Sequence, residues 1–204
     1  IYAKKDIKKG QIINSNNTTT YYNQNITNTN NITNTHNITN NITINGLGNE
    51  DISYITSTDM KNVLENPSKG LVKLVELIHF NPEHPENANI KMHNKKDKFL
   101  DSFVENNWKF VDKKKMIDYL ITSKKELTTN YLDSNENLDD EIVKTYEEYS
   151  EAIDYYIYTF VLNSNYPPSK KSYKKIYKQL FDDLVVMIVN HKRIVTHMHQ
   201  NMML

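Results

Sequence analysis

Cysteine is absent from this chain of 204 residues, which excludes disulfides, iron–sulfur clusters and thiolate zinc sites. Arginine is nearly absent: Arg193 is the only one, so the bidentate guanidinium contacts that read base sequence have little to draw on. There is no excess of either charge, with 25 basic and 25 acidic residues, and hence no global field to pull the chain onto nucleic acid or a membrane surface. No apolar run approaches the ~20 residues of a membrane span, and the opening residues are too polar for a signal peptide, so no membrane association is expected. The chain opens on Ile1 rather than Met, as a fragment or processed product would. Lysine, asparagine, isoleucine and tyrosine abound, a bias that an AT-rich genome writes. Part of the Asn and Lys content is therefore attributable to mutation rather than selection.

What remains is uneven, and it divides the chain into 1–48, 49–132 and 133–204. From position 10 to 49 there is no Asp, Glu, Lys or Arg, and Asn and Thr dominate. Composition of this kind favours disorder, because too little apolar surface is available to offset chain entropy. The spacing argues otherwise. Ile26, Ile32, Ile38 and Ile44 recur every six residues, with Ile42 added. Six is even, so in an extended chain these isoleucines share one face, whereas on a 3.6-residue helix they would scatter. A hexad with one apolar residue suggests a triangular β-helix with one face per hexad. A single chain needs about 18 residues per turn and some three stacked turns to bury anything, and this tract supplies barely one. Three chains around a common axis solve the problem. The expected arrangement is a homotrimeric β-prism stem with Ile26, Ile32, Ile38, Ile42 and Ile44 on the axis and Asn side chains in ladders between chains. An intrachain sheet packed on the helices, or a disordered tract, are the alternatives. Sequons at Asn16, Asn17, Asn25, Asn31, Asn37 and Asn41 arise readily by chance in such a tract.

Asn45-Gly46-Leu47-Gly48-Asn49 ends the repeat at a glycine hinge. The region after it reads as a small α+β unit. Thr58 or Asp59 is placed to cap a short helix that Asn66-Pro67 stops, and Ser68 to cap a second, striped with Leu71, Leu74, Val75 and Ile78. After a proline-braced loop at residues 81–87, Ile90 and Met92 alternate like a strand. Residues 99–104 and 108–111 form two more, joined by the turn-prone Glu105-Asn106-Asn107. A three-stranded meander needs a helix on one face, and Asp112 caps one carrying Met116, Ile117, Leu120, Leu127 and Tyr131 at helical spacing. The last region reads as a helical hairpin. Ile142, Tyr146, Tyr149, Ile153, Tyr156 and Phe160 form one seam, and Tyr173, Ile176, Tyr177, Leu180, Leu184 and Ile188 the return. The first helix is acidic and the second basic, an arrangement suited to antiparallel pairing. The Tyr stripe is read as a core or subunit seam, with a base-stacking surface as the other option. The fold class expected is therefore α+β: a β stem, an α+β module and a helical hairpin.

The string Asn45-Gly-Leu-Gly-Asn-Glu-Asp51, then Ile78-His-Phe-Asn-Pro-Glu83, Pro85-Glu-Asn87, Asn89-Ile90 and Trp108, resembles an uncharacterised protein family of giant DNA viruses of the mimivirus type. The resemblance covers about residues 45–132. Many members carry a two-cysteine, two-histidine zinc finger before an Asn-rich stretch; this chain, without cysteine, has none. The resemblance implies a viral source, a location in the virion or the host cytoplasm, and an order of effector, stem and distal module. It brings no activity.

His79, His84, Asn87, Asn89 and His93 form the densest polar cluster, and their order is faintly like the His-Asn-Asn run of metal-dependent nucleases, in which His activates water. His79, however, ends a helix rather than a strand, and a loop whose Asn side chains bond the backbone explains the same residues. His191, His197 and His199 read as solvated side chains rather than metal ligands. No phosphate loop or nucleophile elbow is present. The expectation is a non-enzymatic homotrimeric viral protein without cofactor that binds a protein partner in a structural or adaptor role. Nucleic-acid binding through the lysines at 113–115 and 170–178 is the second reading, and a His/Asn nuclease the remote third.

Overall fold

The structure, a computed structural model, describes residues 11–13, 19–21, 43–135, 137–161, 171–193 and 195–196. It divides into two compact units, Ile1–Asn37 and Ile38–Leu204. In the first, strands β1 (Gln11–Ile13) and β2 (Thr19–Tyr21) pair antiparallel, with Ile12 opposite Thr20. Of the isoleucines assigned to a trimer axis, Ile26, Ile32, Ile38 and Ile42 lie outside the described residues. Ile44 is half-buried in a segment that is neither helix nor strand.

The second unit is mixed α+β, five helices and one three-stranded antiparallel sheet among the described residues. Helix α1 (Ser57–Glu65) opens on a capping box. Thr56 Oγ1 accepts from the Asp59 N–H at 3.2 Å, and Asp59 Oδ2 accepts from the Thr56 N–H at 2.9 Å. The cap is thus two residues earlier than Thr58, and Asp59 is its reciprocal partner. Helix α2 (Pro67–His79) starts on Pro67, whose missing N–H costs nothing in the first turn; Asn66, not Ser68, occupies the cap position, without a side-chain bond. The two helices come together closely at Gly70, where a Cβ would lie 2.4 Å from Val63 Cα.

A short 3₁₀ turn (Pro85–Asn87) leads into β3 (Ile90–Lys91), β4 (Phe99–Val104) and β5 (Asn107–Asp112), in the order β3-β4-β5. The β4–β5 loop is the two residues Glu105 and Asn106, both left-handed at φ 51° and 61°, the geometry whose twist matches paired strands. Asp112 caps helix α3 (Lys113–Asp133) by accepting from the Lys115 N–H at 3.0 Å, as its sequence position predicts. Helices α4 (Asp140–Val161) and α5 (Lys171–Asn190) pack on each other and on the earlier helices.

One core joins these elements. It includes Leu64, Leu74 and Ile78 from α1 and α2, Ile90 and Leu100 from the sheet, Ile117 and Leu120 from α3, and Tyr146, Ile153, Leu180 and Leu184 from the last pair. The predicted seams of α4 and α5 thus supply buried residues, although the ion pair α4 makes runs to α3. Lys125 bonds Asp154 and, at 3.1 Å, the Ser150 carbonyl. Among the described residues no ion pair joins α4 to α5. No helix of the described residues is long and apolar enough to cross a membrane.

Candidate binding surface

The polar cluster legible in the sequence is separated by the fold. His79 at the end of α2, Asn87 in the 3₁₀ turn and Asn89 before β3 are all buried. Asn89 gives its amide N–H groups to Glu50 Oε1 at 2.9 Å and the Asn45 carbonyl at 3.2 Å, so its Oδ1 faces His79 Nδ1 at 2.8 Å and accepts. That places the imidazole proton on Nδ1 and leaves Nε2 a buried lone pair with no hydrogen-bond partner among the described residues. Asn87 is fully engaged. Its Oδ1 accepts from Asn45 Nδ2 at 2.9 Å and the Asp51 N–H at 3.0 Å, and its Nδ2 donates to the Asp51 carbonyl at 2.7 Å and Tyr54 Oη at 3.3 Å. These bonds pin the glycine hinge to the helices. Gly48, at φ +88°, turns the chain so that its own N–H reaches Glu50 Oε1 at 2.9 Å.

Electrostatics reinforce this clamp. Burial, and after it the nearby Lys124 ammonium, keep His79 neutral: its pKa falls to about 4, despite the opposing pull of Glu50. Burial works against ionisation of Glu50, but His79, Lys124, the Gly48 N–H and the Asn89 amide hold its carboxyl below the usual range. Burial likewise lowers the Lys124 pKa, and Glu50 opposes it. Neither group opens onto the surface as a catalytic side chain would: His79 is 1% exposed and the Glu50 side chain 6%.

The other histidines stand apart. His84 stacks on Tyr54, ring centroids 3.5 Å apart, and bonds Glu86 at 2.9 Å. His191 is tied by Nδ1 to the Met187 carbonyl at 2.9 Å and by Nε2 to Glu76 at 3.0 Å. His197 and His199 lie outside the described residues. Among the described residues no group of three or more His, Asp or Glu is placed to hold a metal ion. Of the tyrosine stripe, Tyr146 and Tyr177 are buried and Tyr149, Tyr156 and Tyr173 half-buried, with Tyr177 bonding Asp118 of α3 and stacking on Tyr156 at 4.3 Å. Burial, and then that carboxylate, raise the Tyr177 pKa.

His93 belongs to a different place, the outer face of the sheet. Strand alternation sends Ile90, Leu100 and Ser102 inward, all buried, and leaves Phe99, Asp101 and Phe103 of β4 beside Phe110 and Trp108 of β5. Phe110 is 81% exposed and Phe99 55%. Phe103 and Trp108 meet edge to face at 5.5 Å, and Lys91 Nζ lies 4.8 Å above the Trp108 ring. Asp101 pairs with Lys91 at 3.8 Å and His93 at 3.3 Å. Beside Phe99 and Phe110 an open depression of about 430 Å³ is lined by His93, Asp97, Lys98 and Asp101. These are two large rings bare to water on one sheet face. Sequence reasoning misses this face, though the signal is there: Phe99, Asp101 and Phe103 step by two, as do Trp108 and Phe110.

No known family matches the chain, nor does any curated protein or solved structure.

Proposed function

We propose that this chain is a non-catalytic, self-associating binding protein. The tract 1–48 joins copies into a homotrimer through Ile26, Ile32, Ile38, Ile42 and Ile44, and the α+β unit offers its aromatic sheet face to a partner. The observation that carries binding is the exposure of Phe99 and Phe110 side by side on β4 and β5, where burial on the other face leaves them unneeded for the core. Self-association is supported by the six-residue isoleucine spacing, which in one copy supplies barely one turn of a β-helix where about three stacked turns are needed. Three copies would display three faces and raise avidity without a tight single site. The burial of His79 and Asn89 favours binding over a metal-dependent nuclease. The resemblance to giant-virus proteins supports a role in a virion or in the infected cytoplasm, as a structural component or an adaptor. Mass by light scattering at micromolar concentration is the test: three times the 24.0 kDa chain mass is expected, and a monomer overturns the stem. Peptide mapping of purified particles separates a virion component from an adaptor.

A further inference from the structure

We infer that the outer sheet face binds single-stranded nucleic acid, with bases stacked on Phe99 and Phe110 and phosphates held by the lysines of the adjoining loop. This rests on the sheet face being the binding surface. The occupant follows from charge and ring chemistry together. Although the whole chain is neutral, residues 91–115 hold eight lysines against four acidic residues. Lys95, Lys96 and Lys98, in the loop that enters β4, are exposed, and none pairs with a carboxylate among the described residues. Lys113 Nζ donates to the Lys95 carbonyl at 2.7 Å and Lys192 Nζ to the His93 carbonyl at 3.3 Å, so two further ammonium groups converge on the same loop.

An acidic polypeptide would satisfy the lysines but has no use for two open aromatic rings. A duplex would satisfy them too, but its bases are already stacked on each other. A single strand uses both, since every base has a face to stack and every linkage a negative charge. The register puts Phe110 opposite Asp101 and Phe99 opposite Asp112, which makes the two rings diagonal neighbours, about 7–8 Å apart at the backbone. That is room for each ring to hold a different base. The acids of the face are engaged: Asp101 is matched by Lys91 and His93, Asp112 accepts from the Lys115 N–H, and Asp97, at the edge of the depression, accepts from the Asn94 N–H. With one arginine in the chain, the binding is expected to tolerate many sequences.

Trp108 is the only tryptophan and lies on this face, so its fluorescence reports occupancy directly. The full chain is titrated at about 50 mM salt with single-stranded oligothymidylate and oligouridylate of about 12 nucleotides, with a duplex of equal length, and with polyglutamate. Quenching by the single strands, and much less by the duplex and polyglutamate, is expected. Phe110→Leu and Phe99→Leu, conservative changes at exposed positions, should each weaken binding roughly ten-fold, while Phe110→Tyr retains it. Lys95→Gln with Lys98→Gln should reduce the salt slope by about 0.7 for each phosphate left without its ammonium. Quenching by polyglutamate but not by the single strands overturns the nucleic-acid assignment and leaves the face a binding surface. Silence with every probe likewise overturns the nucleic-acid assignment, and leaves the face to a protein partner. Single-strand binding that Phe110→Leu and Phe99→Leu leave unchanged overturns the stacking site.

Discussion

Asn89 accepts from His79 Nδ1 at 2.8 Å while its own amide holds Glu50, so one asparagine couples a neutral imidazole to an ionised carboxylate inside the core. The consequence is acid sensitivity. Above the ordinary histidine pKa of 6.5, His79 is neutral whether the chain is folded or not, and it makes no pH-dependent contribution. As pH falls from there toward about 4, the unfolded chain takes up a proton that the folded chain refuses, and stability drops. The loss over that window is about 3 kcal/mol. Urea denaturation at stepped pH values should show it, and His79→Gln should flatten the profile between those limits whatever it does to stability at neutral pH.

Asn87 satisfies four hydrogen bonds at once, two of them to the backbone of Asp51. Asn87→Ala strands those partners in a part-buried site and should cost roughly 2–4 kcal/mol. Asn87→Asp, which keeps the shape but cannot donate when ionised, should cost a comparable amount. Amide exchange at Asp51 measures the local part of the effect: it should quicken in both variants before global unfolding is reached.

Gly70 sits where α2 crosses α1, with Val63 Cα 2.4 Å from the place a Cβ would occupy. Helix propensity alone would make Gly70→Ala stabilising by about 1 kcal/mol. Because the obstacle is backbone and cannot rotate away, the helices must part, and a net loss of about 1–3 kcal/mol is expected. Thermal denaturation of the single variant decides between the two signs.

The hairpin turn offers the opposite sign. Glu105 and Asn106 both carry positive φ, and glutamate is a poor occupant of that region. Replacing the pair with Asn-Gly should raise stability by about 1 kcal/mol, although the Glu105–Lys109 ion pair disappears. That pair is exposed, which is why removing it does not reverse the gain. A higher urea midpoint with an unchanged slope is the result to look for.

Much of the α+β unit is legible from local signals. Strand β4 matches residues 99–104, the turn falls at Glu105, and Asp112 caps α3, because alternation, turn chemistry and capping act over a few residues. The start of α1 is harder to place because Thr56, Thr58 and Asp59 are all able to cap, and only the folded backbone shows that Thr56 and Asp59 bond each other. The histidine-asparagine cluster stands out in the sequence, and so does the explanation that its side chains bond the backbone. Its partners do not: Glu50 and Lys124 are far apart in the chain, and no spacing rule links them.

By itself the sequence determined periodicity: which residues of β4 and β5 share a face, which of α4 and α5 share a seam, and that isoleucines recur by six in a tract without charge. Only the tertiary structure decided which face is covered. Leu100 and Ser102 go under the helices while Phe99 and Phe110 stay in water, although the second pair is the more apolar. The reason is physical. Alternation is a property of one strand, but burial depends on where helices joined through distant side chains come to rest, and that is settled by the core as a whole.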